Sequence, residues 1–240
     1  MQSINFKGEN TMRIYFIRHG HPDYEHDCLT NIGRLQAEAC AERLKDSGIQ
    51  KIYASSKGRA IETAQYTAKK LGLPVVPVDF MRELEWHSKT DAPIFKGGNP
   101  WWIAEDMVLK GENLFDWNWA ASSRFSDSVL GDRVNVVTEG LDSWLETLGY
   151  AREGHHYRVI SDHADQTVAM FSHGGSSSAA LSHLLGLPFP WALQVIRMDF
   201  TSVIIVDLDN EKGSLTFPRL TLLNDARHIE RINTELFFGN

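Results

Sequence analysis

Short apolar runs alternate with amphipathic stretches along most of the chain. Arg13-Ile14-Tyr15-Phe16-Ile17 is β-prone and mostly apolar, which predicts a buried strand. After a polar loop with Pro22, Thr30 is placed to cap a helix with Ile32, Leu35 and Ala39 on one face, ending near Gly48. Lys51 to Ala54 predicts a second strand, and the next helix carries Ile61, Ala64, Ala68 and Leu71 on one stripe and stops at Gly72. Val75 to Val78 predicts a third strand, which Pro77 assigns to a sheet edge. Val134, Val137, Leu141, Leu145 and Leu148 mark a longer helix. Thr167 to Phe171 reads as a further buried strand, followed by a small-residue helix from about Ser176 to Leu185. Thr201 to Asp207 and Ser214 to Leu223 read as two more strands. Strands in alternation with helices predict one α/β domain, a three-layer sandwich with a mostly parallel central sheet and helices on both faces.

Residues 86 to 130 break this rhythm. They hold five of the seven tryptophans, together with Gly97-Gly98 and two prolines. They read as an insertion over the sheet with short helices, within a domain spanning 12–240 that follows a leader of residues 1–11. Composition excludes other classes. With 42% hydrophobic and 23% charged residues the chain has the makings of a substantial core, and it has no apolar run long enough to span a bilayer. A formal net charge of −7 without a Lys/Arg cluster argues against nucleic acid as a partner. Two cysteines, Cys28 and Cys40, give no disulfide framework and point to the cytoplasm.

The candidate chemistry lies at strand ends, where α/β folds bind ligands. Arg18-His19-Gly20 closes the first strand, Arg59 follows the second and Ser172-His173-Gly174 closes another. Two imidazoles and two guanidiniums converging on one crevice suit phosphoryl transfer. A neutral imidazole is a nucleophile near pH 7 if its other nitrogen donates its hydrogen, most simply to a backbone carbonyl. Gly20 allows that close approach. Arg18 and Arg59 offer planar forks of donors to phosphoryl oxygens, and His173, if protonated, adds another positive donor. The leaving alcohol needs a proton. Glu83 is the first candidate, its carboxyl kept protonated by nearby phosphate, and Glu85 is the reserve. His21 and Asp23 either line the pocket or shape the loop. His155, His156 and His163 lack the spacing of a zinc site. An aromatic insertion beside such a pocket (Trp101, Trp102, Trp117, Trp119) can recognise the organic part of a substrate.

Several segments in order resemble the histidine phosphatase superfamily, the phosphoglycerate mutase-like family. They are Ile17-Arg18-His19-Gly20, Leu29 to Ala37, Tyr53 to Ala64 around Arg59, Met81-Arg82-Glu83, Phe171-Ser172-His173-Gly174-Gly175 and Leu223 to His228. The resemblance implies a phosphoglycerate mutase-like fold, His19 as nucleophile, Arg18, Arg59 and His173 as phosphate ligands and Glu83 as proton donor. Gly20, His21 and Gly174 would be further substrate-binding positions, and no metal or organic cofactor is implied. Two stretches depart from the pattern. His21-Pro22-Asp23-Tyr24-Glu25 replaces the small polar residue and Asn that many members carry, and the middle segment is unlike that of the glycolytic mutases. The expected activity is therefore phosphomonoester hydrolysis through a phosphohistidine. The alternatives are mutase-type transfer and a non-catalytic phospho-ligand sensor.

Overall fold

The first strand, β1 (Thr11–Arg18), sends alternate side chains to opposite sides of a sheet. Met12, Ile14 and Phe16 enter one core and Tyr15 and Ile17 a second. Each face therefore needs its own cover of helices. The computed structural model describes residues 11–89, 100–162 and 166–232. The expected leader lies outside these residues apart from Thr11, which opens β1.

After β1, the short strands β2 (Pro22–Asp23) and β3 (Cys28–Leu29) pair with each other in the loop before α1, and six strands form the central sheet. Besides β1 they are β4 (Lys51–Ser55), β5 (Val75–Val78), β8 (Thr167–Ser172), β9 (Val203–Asp209) and β11 (Arg219–Asp225), in the order β11-β9-β1-β8-β4-β5. β1, β8, β4 and β5 are parallel neighbours, while β9 and β11 are antiparallel. The sheet is mostly parallel, as expected, and β5 with Pro77 is an edge strand. Helices α1 (Asn31–Leu44) and α2 (Gly58–Leu71) cover one face. The longer α4 (Leu130–Thr147), with α5 (Gly174–Leu185) and α6 (Phe189–Val195), covers the other. The chain leaves β1 towards α1 and leaves the adjacent β8 towards α5. The connections thus depart to opposite faces, which opens a crevice at the carboxyl ends of these two strands. Register keeps the ends level: Arg18 lies opposite Ser172, and Ala54 opposite Phe171.

Thr30 caps α1, its hydroxyl accepting from the Gly33 amide. The buried face, however, is Gly33, Gln36, Ala37, Cys40, Ala41 and Leu44, and Leu35 points to solvent. The reason is local: the helix docks through Gly33 and Gln36 onto the loop after β1, where Gln36 Oε1 accepts from the His21 amide at 2.7 Å. One other expectation changes, and one hairpin was not anticipated. Ser214 to Leu223 is two strands, β10 (Leu215–Thr216) and β11, broken at Pro218, which has no amide hydrogen for a ladder. The polar stretch before β8 folds as a hairpin, β6 (Tyr150–Glu153) and β7 (His156–Val159), turning at Gly154 with φ +62° and pairing with β10. Within 86–130 the chain forms a short helix α3 (Ile103–Leu109) flanked by single turns at Pro100–Trp102 and Trp119–Ala121. Gly97-Gly98 and Pro93 lie outside the described residues. The segment sends Ile103, Met107, Trp119 and Phe125 into the α4–α6 core.

Candidate active site

The loop after β1 packs backbone to backbone on the start of α1 because Gly20 and Gly33 carry no side chains. A methyl group on Gly20 would lie 2.6 Å from the Gly33 carbonyl oxygen, and one on Gly33 would lie 2.1 Å from that of His21. The His19 amide donates to Ser172 O at 2.9 Å, carrying the β1–β8 ladder one residue past the strand. The ring is 1% exposed. Its Nδ1 donates to the Gly20 carbonyl at 2.7 Å, which leaves Nε2 with the lone pair. On that side lies Arg59 Nε, 3.4 Å from Nε2. His173, the residue preceding α5, stands beside it with ring centroids 5.1 Å apart. Its Nε2 meets Ser55 Oγ, at the end of β4, at 2.8 Å, and its Nδ1 is sealed from solvent with no partner among the described residues.

Arg59, 7% exposed on the first turn of α2, donates through Nη1 to Asp27 Oδ1 at 2.5 Å. Asp27 also takes the Gly58 amide at 2.8 Å, so one carboxylate fixes both the helix start and the guanidinium. Glu62, the acid nearest in sequence on the same helix, pairs with Arg34 instead. Arg18 donates to Met198 O at 2.7 Å and its guanidinium carbon lies 4.4 Å from the centre of the Phe200 ring, while its buried Nε has no partner among the described residues. Glu83 is partly buried. One oxygen accepts from the amides of Leu84 and Ser176 at 3.0 and 3.1 Å, which places the carboxyl at the amino end of α5. A methyl on Gly175 would lie 2.6 Å from that same oxygen.

These surroundings set the charges. Burial, then the positive fields of Arg18 and Arg59, push the His19 imidazole down to about 3, against the opposing bond to Gly20. Burial, His19 and the same two arginines hold His173 well below the ordinary range. Both shifts favour the neutral imidazole, so the condition under which His173 would be a cationic donor is not favoured in the ligand-free protein. Burial also lowers Arg18. Burial raises the Glu83 carboxyl, an effect that the Leu84 and Ser176 amides and Arg18 only partly offset.

Arg18, His19, Gly20, Arg59, Glu83, His173 and Gly174 are thus brought together. Other candidates stand apart. Glu85 is exposed and pairs with Arg133 at 3.0 Å. Asp23 binds His26 and the amides of residues 25 and 26, so it shapes the loop. His21 Nδ1 is held by the Thr30 hydroxyl at 3.0 Å, and its ring packs edge-on against Phe200. Among the tryptophans only Trp101 and Trp102 line the cleft of about 390 Å³ that opens beside Arg18. Trp119 is core, and Trp117 packs on His155. His163 lies outside the described residues. No group of three or more His, Cys, Asp or Glu side chains among the described residues is arranged to hold a metal ion. Sequence reasoning missed Asp27, Ser55, Thr63 and Phe200. Thr63 Oγ1 accepts from the Gly20 amide at 3.1 Å, and no periodicity marks any of the four.

Comparison with known proteins gives a consistent picture. The sequence profile of the histidine phosphatase superfamily (branch 1) matches residues 14–221. Phosphoglycerate mutase-like protein 4 of Arabidopsis thaliana is 35% identical over 136 residues, covering 50% of this chain and 58% of that protein. The probable phosphoglycerate mutase GpmB of Proteus mirabilis is 31% identical over 231 residues, 92% of this chain and 96% of that protein. Among solved structures, a phosphoserine phosphatase variant from Entamoeba histolytica, in complex with phosphoserine, shares the fold with a TM-score of 0.61 and 22% identity. The match covers 91% of this chain and 99% of that one.

Proposed function

Since the chain belongs to the histidine phosphatase superfamily (branch 1), we propose that it is a phosphomonoester hydrolase that works through a phosphohistidine on His19. The observation that carries this reading is the bond from Nδ1 to the Gly20 carbonyl, which leaves a sealed, neutral ring with its lone pair on Nε2. In the first step that pair forms a bond to phosphorus as the ester P–O bond breaks, and Glu83 gives its proton to the departing oxygen. In the second, water attacks phosphorus, its proton returns to Glu83 and the P–N pair returns to Nε2.

Arg18 and Arg59 hold the non-bridging oxygens. Arg18 Nε and His173 Nδ1, both buried and without a partner among the described residues, are free for the same oxygens. A bound dianion raises the proton affinity of His173, so the cationic donor expected from sequence forms on binding. Two guanidiniums supply the charge neutralisation that a metal gives elsewhere, so the reading is of a metal-independent enzyme of the histidine acid phosphatase kind. A reducing cytoplasm completes it, supported by two free cysteines. No helix among the described residues is long and apolar enough to cross a membrane.

The test is phosphate release from p-nitrophenyl phosphate in EDTA by the native protein and by His19→Ala. The expected result is metal-independent turnover that falls on the order of 10⁴-fold or more in the variant. Equal rates would remove His19 from the mechanism. The name of the Proteus mirabilis relative favours a second reading, mutase-type transfer. A requirement for a bisphosphate primer would establish it.

A further inference from the structure

The leaving group has a defined exit. In-line displacement places the leaving oxygen opposite Nε2, within reach of the acid that protonates it. The organic part of the substrate must then run into the cleft that Glu83 itself lines. That cleft, of about 410 Å³, is bordered by Lys57, Arg59, Arg82, Glu83 and Arg133, with Phe80 and Val136 on its apolar side. Its size suits a small molecule. Its charges are unevenly committed. Arg133 is tied to Glu85, and Asp79 accepts from the Ser56 hydroxyl at 2.5 Å. Lys57, half-buried, and Arg82, exposed, have no side-chain partner among the described residues.

The contrast with the partly buried arginines elsewhere is informative. In a chain of net charge −7, Arg13, Arg34, Arg43 and Arg124 each close on an acid. At this mouth two cations are left open, at positions fixed by the site itself. Lys57 lies between Ser55, which holds His173, and Arg59; Arg82 immediately precedes Glu83. The Lys57 charge also reaches His173. Two cations without an acid partner among the described residues, beside the acid that would free the leaving group, offer charge-assisted hydrogen bonds to an anionic ligand.

Resting on the hydrolase reading above, we propose that the substrate carries a second anionic group near the ester oxygen, a carboxylate or a further phosphate, and that Lys57 and Arg82 bind it. They are specificity residues: the phosphoryl group being transferred stays with Arg18, Arg59 and His173. The subsite also explains how a chain acidic overall captures a multiply charged anion, since local field and not net charge decides the mouth.

The test compares matched esters. 3-Phosphoglycerate and glycerol 1-phosphate differ by a carboxylate against a hydroxymethyl group. Fructose 1,6-bisphosphate against fructose 6-phosphate makes the second anion a phosphate. In the native protein kcat/KM should favour the doubly anionic member of at least one pair about 100-fold, and the favoured pair identifies the anion. Lys57→Gln and Arg82→Gln should each reduce that ratio about ten-fold, the value of one charge-assisted hydrogen bond at a partly exposed site, and together bring it near one. Arg82→Glu should turn selectivity towards a cationic leaving group such as that of phosphoethanolamine. A native protein indifferent within both pairs, or variants that slow both members in proportion, would overturn the proposal. If p-nitrophenyl phosphate is still turned over in a His19-dependent manner, only the subsite falls. If no ester is turned over, the hydrolase reading falls and takes the subsite with it.

Discussion

The proposed phosphate cradle and the proposed selecting cleft beside it are built on opposite principles. In the cradle His19, His173 and Arg59 are almost fully buried, and each is held by a named partner: the Gly20 carbonyl, the Ser55 hydroxyl and the Asp27 carboxylate. In the cleft Arg82 is exposed and Lys57 unpaired. Charge that must meet a developing transition state is fixed beforehand, so that no reorganisation is needed during reaction. Charge that only selects among leaving groups is left on the rim, where it can change without disturbing the strands. Substitutions in the first region should therefore act on every substrate, and those in the second on some.

Glu83 sits at the boundary and gives the largest effect after His19. Glu83→Gln keeps the shape but removes the proton. For an alkyl ester kcat should fall about 10²- to 10³-fold, and for a nitrophenyl ester, whose leaving group needs no proton, much less. The pH profile gives a second reading. The carboxyl is raised by burial, so the protonated form that the proposed mechanism requires persists above the usual carboxylate range, and kcat should fall as pH rises through that raised value. His19, lowered to about 3, contributes no acidic limb near 6.5. An alkaline limb that survives in Glu83→Gln would assign it to another group, the ester's own second ionisation being the first to test.

Asp27→Asn attacks the cradle without touching substrate. Burial opposes the charge of Asp27, but the Gly58 amide and Arg59 outweigh it and hold the carboxyl below its usual range. The variant loses the ion pair that aims Arg59. We expect kcat/KM to drop about 10- to 100-fold for anionic and neutral leaving groups alike, the size associated with misplacing a binding group by about 1 Å. A drop confined to anionic leaving groups would move Asp27 to the selecting side. Added guanidinium restoring an Arg59→Ala variant but not Asp27→Asn would support a positioning role.

The same division explains what was legible in the sequence. Arg18, His19 and His173 follow short apolar runs, and strand ends in an α/β sheet are predictable places, so the sheet and the convergence at its edge could be read directly. Arg59 was legible for the same reason. Asp27 was not: it sits in a polar loop without period, at φ +49°, and its role exists only because that loop folds back over α2. The α1 face was misjudged because docking is set by Gly33 and Gln36 and not by the larger Leu35. The β6–β7 hairpin was hidden by its polar outer positions, although Gly154 followed by one residue is a hairpin turn signal. Lys57, just before α2, went unmarked, since a missing ion pair has no signature in one dimension.

Trp101 gives the smallest expected effect and the finest test of the division. It comes from the irregular segment, yet its ring lies 2.9 Å from where a methyl on Gly174 would be, and Arg18 lies 3.7 Å from the same point. By position it is a wall of the cradle. Trp101→Ala lets water reach the Arg18 side and weakens the field there, so KM should rise about three- to ten-fold by the same factor for 3-phosphoglycerate and glycerol 1-phosphate. Trp117→Ala, on a ring packed against His155, should leave KM unchanged. A Trp101 variant that altered the ratio between the two esters would mean that the aromatic wall reads the leaving group as well. The boundary between fixed chemistry and adjustable selection would then run through the insertion and not along Glu83.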